Sequence, residues 1–522
     1  MRNAIIHRVG QVKVRGLTYI FGIVFFAGLI FGAGQVIEAA RLNQETTPDW
    51  AQWAHTPQHS AATSAFGQIP RKQLADITFD PFVKQEQAES KGEAKGDLLV
   101  HYQVPLVDGN QVFLEYKTGA YDSCDPPGSG HPYPCGPNAW DTEIWNERAF
   151  IWTNGSLVAS WNFQSDWKPE PNSGAHGRGI GLYGWEPVFH AAVWNGFVFV
   201  PGFSGSIYKL KESDGTLVGH YTPFGTDPNT FVSGPLTVDK SGNVYYNVLA
   251  LDATKPWVAD VRGAYLVKLT PQGAVKNVSY SDLVQGDPDC GETEDYGSQR
   301  PGINVAPAVS ADGQTVYTIS RAHFDPAHAC VLAVNANLTS KWHSSLSIFG
   351  IVGTVPDNAS STPAVAPDGS ILYAAASDDD DGRGYLMKFG SSGNYLTYYD
   401  FGWDETPATF VHDGTYSVVI KDNNYPHGPY FITQLNANLG VEWKFESPTN
   451  QEWCVNAPAV DQNGTVYAPS EDGHLYAIGQ GGRLKGKIFL KKAVGAAYTP
   501  IALGRDGKLY TENDGDMFVL GK

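Results

Sequence analysis

Charge is scarce in this chain: only 17% of its 522 residues are Asp, Glu, Lys or Arg. Set beside 12% aromatic residues, that excludes a disordered chain or a coiled coil, both of which need many charges and few rings. Positive charge is scarcer still, with 36 Lys and Arg against 54 Asp and Glu for a net charge of -18. No basic tract follows the N-terminus, and phosphate backbones are bound by clustered Lys and Arg, so a nucleic-acid partner is excluded. Cysteine is limited to 5 residues. None precedes Cys124, so lipid attachment at a mature N-terminal cysteine is excluded too. A GxSxG serine-nucleophile motif is also missing, and FSGSI from Phe203 reads as a turn. Abundant instead are 57 Gly, 33 Pro and 14 Trp, the vocabulary of many short strands and tight turns.

One long apolar run stands out. Arg2, Arg8, Lys13 and Arg15 precede the uncharged stretch Leu17–Gly34, about the shortest length that crosses a bilayer. Positive residues stay cytoplasmic, so the expectation is a cytoplasmic tail over 1–16, a signal anchor over 17–40 and everything later exported. The location expected is the inner (cytoplasmic) membrane, single-pass, with the bulk of the chain in the periplasm or outside the cell. The competing reading is a signal peptide cut near Ala39. Residues 41–95 are polar and lack a sustained period, which reads as a stalk; removal of 42–60 is expected to be tolerated.

From residue 96 onward the chain repeats. A proline opens a short apolar run at Pro105, Pro187, Pro235, Pro307, Pro363, Pro407, Pro458 and Pro500. Each is followed by a turn dipeptide such as Asp108-Gly109, Asn195-Gly196, Asp312-Gly313 or Asp413-Gly414, which suits tight hairpins because Gly, Asn and Asp tolerate positive φ. Two further strand-like runs follow, and then a fourth with an aromatic end, as in NGSLVASWNF, NANLTSKWHSS and NANLGVEWKF. Four strands per unit repeated eight times predict an all-β fold, an eight-bladed β-propeller over 96–522, or seven blades if one unit is degenerate. The final unit, from Pro500, has only three strands. The missing one is expected from the N-terminal side, either ADITFDPFV at 75–83 or DLLVHY at 97–102.

The segment PAVDQNGTVYAPSEDGHLYAI at 458–478 resembles the repeat of the pyrroloquinoline-quinone-like propeller superfamily. LNANLGVEW ending at Trp443 and VNANLTSKW ending at Trp342 resemble its tryptophan-docking motif, and Trp161 sits at the matching place. The superfamily includes quinoprotein alcohol dehydrogenases, a lipoprotein that assists outer-membrane assembly, and binding proteins. The resemblance therefore implies the fold and leaves activity open. Its quinoproteins carry two neighbouring Cys joined as a ring, a calcium held by Glu, Asn and Asp, a catalytic Asp and a Trp beneath the quinone. No two Cys are adjacent here, and no CxxCH haem site occurs. Glu292, Asp295, Arg300, Asn304 and Asp404 stand at blade entrances as candidates for the charged roles.

The expectation is thus no cofactor, with pyrroloquinoline quinone and calcium in an atypical quinoprotein oxidoreductase as the alternative. Long insertions fall between second and third strands or between blades, which places them on one end of a propeller, and loops on a rigid scaffold carry binding. That face is expected to bind a protein or membrane-complex partner through Trp185, Arg300, His323, Glu405 and Trp453, with Trp167 and Trp403 nearby. Asp378, Asp380 and Asp381 offer a candidate metal site. His323 and His328 flank a Pro-containing turn and read as exposed. Disulfides are expected between Cys124 and Cys135 and between Cys290 and Cys330, consistent with an oxidising compartment, leaving Cys454 as a buried thiol. Five sequons (Asn154, Asn277, Asn337, Asn358, Asn463) bear only on a eukaryotic secretory pathway.

Overall fold

Alternating apolar runs punctuated by Asp-Gly and Asn-Gly build hairpins throughout. At Asn195-Gly196 and Asp413-Gly414 both turn residues hold positive φ, the backbone whose twist matches that of paired strands. A computed structural model describes residues 49–89, 98, 100–121, 142–169, 186–291, 295–348, 350–377, 383–402, 404–424, 427–491 and 500–522. The chain divides into Met1–Thr47 and Pro48–Lys522, and the description concerns the second unit. The apolar run at 17–34 lies outside the described residues, and none of the described helices is long and apolar enough to cross a membrane.

Eight antiparallel sheets follow one another, each a blade. Blade 1 is β2 (Leu106–Asp108), β3 (Gln111–Gly119), β4 (Glu143–Thr153) and β5 (Ser156–Gln164). Blades 2 to 7 repeat the order over Ala192–Tyr221, Thr230–Ser279, Gln299–Ser345, Ser347–Phe401, Ala408–Glu446 and Ala459–Phe489. First strands are short and buried, whereas fourth strands such as Ser156–Gln164 and Arg483–Phe489 alternate toward solvent, so the core lies between blades and around the axis.

Blade 8 has three strands of its own from Ile501 to Gly521, and β1 (Lys72–Thr78) pairs antiparallel with the last of them. Strand donation thus comes from the 75–83 candidate region. The other candidate instead forms a parallel bridge from Val100 to Glu186 at the entrance to blade 2.

The reading of 41–95 as a stalk is corrected for its described part. Trp50 and Trp53 are buried, and residues 49–63 form a girdle that circles the axis in blade order. Asp49 Oδ2 accepts from Arg505 N of blade 8, and Trp50 bridges Val107 of blade 1. The carbonyl of Ala51 accepts from Val193 of blade 2, and the Gln52 side chain from Val238 of blade 3. The carbonyls of Pro57, Gln58, Ser60 and Ala61 then accept from Val309, Val365, Thr409 and Val460 of blades 4 to 7. Positive φ at Ala54, His55, His59 and Ala61 bends the girdle, and Trp53 and His59 fill the axis. The Trp53 indole donates to Thr406 Oγ1 at 3.1 Å, and His59 Nδ1 donates to the Pro363 carbonyl at 2.7 Å. The segment looked like a stalk because its order comes from contacts with all eight blades, which leave no local period.

The tryptophan docking takes a definite form. In six blades a β-bulge interrupts the pairing of third and fourth strands; a bulge re-aims the side chains beside it. Trp161, Trp342 and Trp443 directly follow three of these bulges and lie on Gly215, Gly393 and Gly482 of the next blade, where a Cβ would stand 2.8, 2.7 and 3.4 Å from the ring. The indoles of Trp161 and Trp342 donate to the carbonyls of Glu212 and Ser391.

Candidate functional site

In blades 1, 6, 7 and 8 the first strand opens directly after a proline, and in blades 3, 4 and 5 a two-residue inner strand follows Pro235, Pro307 and Pro363; proline lacks an N–H and holds the preceding residue extended. The residues ahead of those prolines are polar and buried: His101, Gln103, Glu186, Ser233, Asn304, Ser360, Ser361, Asp404, Glu405 and Asn456. They bond to one another between blades. Asn304 Oδ1 accepts from Val188 N at 2.9 Å, and its Nδ2 donates to the Ala359 carbonyl at 3.2 Å, tying blade 4 to blades 2 and 5. Asp404 Oδ1 accepts from Ser360 N at 2.6 Å, and Glu405 N donates to Ser361 Oγ at 2.8 Å. Asn456 Oδ1 accepts from Thr406 N, and its Nδ2 donates to Ser360 Oγ. Gln103 accepts from Ala191 N and donates to Glu147. Among the described residues Asp404 Oδ2 and Glu405 Oε1 have no hydrogen-bond partner. Burial pushes the Glu405 carboxyl well above its ordinary range, although Lys421 opposes it.

Arg300 belongs to a second buried cluster. Its guanidinium grips Asp357 through two bonds of 2.9 and 2.7 Å, and its Nε donates to His323 Nδ1 at 3.1 Å. Arg321 approaches the same carboxylate at 3.5 Å, and Trp257 lies 5.7 Å from the Arg300 guanidinium. Burial raises the Asp357 carboxyl, but the two arginines outweigh it and hold the group below its usual value. Burial first, then Arg300, pushes His323 down to about 4, so the imidazole is neutral.

These positions correct the expected binding face. Arg300, His323, Glu405 and Trp453 are buried and built into the fold. Trp453 packs on Tyr476 at 5.1 Å, and Trp167 packs on Trp145 at 5.2 Å while its indole donates to the Val232 carbonyl. His328 is half-buried with Nε2 on the Gly291 carbonyl. Spacing placed these residues correctly at blade ends, but the ends fold inward there. Trp185, Trp403, Glu292, Asp378, Asp380, Asp381 and the Cys124–Cys135 pair lie outside the described residues. Cys290 and Cys330 form a disulfide, and Cys454 is a buried thiol. Asp357 and Arg321 were missed: neither carries a motif, and only folding brings them to Arg300.

A cavity of about 800 Å³ opens on the opposite end, between the girdle and the short turns of blades 4 to 6, beside Gln58, Tyr317, Lys341, Phe410 and Val411. The end with trimmed turns is therefore not flat.

The described residues do not fit a calcium-bound quinone. The Asn304 amide is spent between blades, Asp357 is held by two arginines, and adjacent cysteines are missing from the chain.

No protein-family model and no curated protein sequence matches the chain. Among solved structures, a europium-containing methanol dehydrogenase superposes with TM-score 0.56 at 12% identity, covering 88% of this chain and 89% of its own. A quinohemoprotein alcohol dehydrogenase from Comamonas testosteroni gives TM-score 0.53 at 13% identity, covering 93% and 82%. BamB from Moraxella catarrhalis aligns over 79% of this chain and 98% of its own at TM-score 0.38 and 13% identity. The fold is the pyrroloquinoline-quinone-like β-propeller, with eight blades.

Proposed function

We propose that this protein is a membrane-anchored, extracytoplasmic propeller that works as a protein-binding or assembly scaffold through its elaborated face. The observation that carries the reading is the state of the axis: the entrances to the blades are hydrogen-bonded to one another and buried, so binding is left to the connections outside them. The second-to-third-strand and inter-blade connections all join strand ends on one side, and the girdle closes the other, with Asp49 among the first turns of blades 8 and 1. Export is supported by the Cys290–Cys330 disulfide, a bond kept in oxidising compartments, and by the charge asymmetry around Leu17–Gly34.

The test is capture from membranes with the full chain as bait, comparing variants in which 122–141 or 170–185 is replaced by a short turn with a Val411→Asp variant on the other face. Loss of capture in the loop variants alone is expected; loss in Val411→Asp alone reverses the assignment of faces. A reporter fused after Lys522 should be active only outside the cytoplasm. The likeness to a methanol and an alcohol dehydrogenase favours a second reading, an oxidoreductase with an atypical quinone site. Calcium-dependent dye reduction after addition of pyrroloquinoline quinone would establish that one instead.

A further inference from the structure

A cluster of carboxylates lies where α1 (Val83–Glu89) meets the second and third strands of blade 1. Glu86 comes from α1, Glu143 opens β4, and Glu186 precedes blade 2; the three offer oxygens that all lie within 4.8 Å of one another. Asp80 stands beside them. Lys117, at the end of β3, is their counter-charge, 2.7 Å from Glu186, 3.2 Å from Asp80 and 3.7 Å from Glu86. The other bonds in the cluster are also fixed: the Tyr102 hydroxyl donates to Asp80 Oδ2 at 2.9 Å, the Trp145 indole donates to Glu186 Oε1 at 3.1 Å, and Lys168 donates to the Glu143 backbone carbonyl.

Glu143 is the exception. Its side chain is fully buried, and among the described residues neither carboxylate oxygen has a hydrogen-bond partner. Most buried polar atoms in native proteins are satisfied, and one that is not calls for an explanation, a bound water or ion among them. Burial pushes its carboxyl well up; Lys117 opposes this, and Glu186, Glu86 and Asp80 add to it. Four carboxylates around one buried ammonium leave negative charge that a low-dielectric site holds only at high cost.

We propose that Glu86, Glu143 and Glu186 form a site for a hard divalent cation of the calcium type. An all-oxygen donor set selects such ions over softer metals. Two opposed ligands of calcium, each at roughly 2.3–2.6 Å, stand about 5 Å apart, so the oxygens reach one ion as they lie. Lys117 keeps its bonds to Asp80 and Glu186, and the ion takes the carboxylate that no described side chain hydrogen-bonds. Because the three ligands come from α1, blade 1 and the entrance to blade 2, the ion would join the strand-donating segment to the first two blades at the elaborated end.

The test uses the full chain stripped with EDTA. Calcium should raise its thermal midpoint by about 2 °C or more, and terbium bound in its place should luminesce on excitation of the nearby Trp145. Glu143→Gln should abolish both responses while leaving the midpoint in EDTA no lower than that of the wild type, since it keeps the shape and removes a buried carboxyl that has no described hydrogen-bond partner. If that variant does not fold, Glu86→Gln on α1 reads the same loss. A midpoint unmoved by calcium overturns the proposal, as does a shift equal in the wild type and the variants, and a response to magnesium alone overturns the calcium assignment.

Discussion

Trp50 and Val107 exchange both backbone hydrogen bonds, each 2.9 Å long, across 57 positions of sequence. That bridge is the first step of the girdle, and the residues at the same level of blades 2 to 7 donate their N–H groups to it in turn. Removing 1–47 should therefore leave the thermal midpoint nearly unchanged, whereas removing 1–63 strands those donors at the axis, at about 1–3 kcal/mol for each one left buried. Equal midpoints for the two truncations would show that the girdle is dispensable; the earlier expectation that 42–60 can be lost is replaced by this one.

The blade-to-blade contacts make a second case. Trp443→Ala should cost about 3–5 kcal/mol in a denaturant titration, the range for truncating a buried large aromatic. Gly393→Ala should also destabilise, because φ is +87° and the new methyl would stand 2.7 Å from the Trp342 ring. A left-handed backbone alone costs an alanine roughly 1–2 kcal/mol.

Arg300→Met leaves Asp357 buried beside Arg321 alone. Breaking a buried pair on one side costs about 3–5 kcal/mol, so the variant should lose stability heavily, while Lys240→Ala on an exposed turn should change it by no more than about 0.5 kcal/mol. A mild effect of Arg300→Met on unfolding would return that residue to the surface role its sequence position suggested.

Stability should fall between mildly acidic and mildly basic pH. Burial raises Glu147 from 4.5 to about 8, with only the Gln103 amide opposing. A folded-state value above the unfolded one means that the native chain holds a proton the unfolded chain gives up, so this stability is complete below about pH 4.5 and is lost as pH rises toward 8. Glu147→Gln should flatten that part of the pH profile of the unfolding midpoint. An unchanged slope would show that the Glu147 proton does not contribute to it.

The Cys290–Cys330 disulfide closes a loop across 40 positions. A Cys290→Ser, Cys330→Ser double variant should lose about 2–4 kcal/mol, and a reducing agent should lower the wild-type midpoint by more than it lowers the variant's.

What the sequence alone determined was everything that repeats locally. Proline at each first strand, Asp-Gly or Asn-Gly turns and an aromatic at the end of fourth strands are short-range signals, and they specify eight blades and the need for a borrowed strand. The Trp342 and Trp443 contacts were legible for the same reason, since each ring sits at one place in a recurring unit. Tertiary structure decided the rest. The girdle, the Arg300–Asp357 clamp and the carboxylates around Lys117 are built from residues tens to hundreds of positions apart, with no period to announce them. Side-chain direction at a blade entrance is set by what lies across the axis, so Arg300, His323, Glu405 and Trp453, placed correctly at blade ends by their spacing, turned inward to satisfy buried polar groups and fill space rather than outward to a partner.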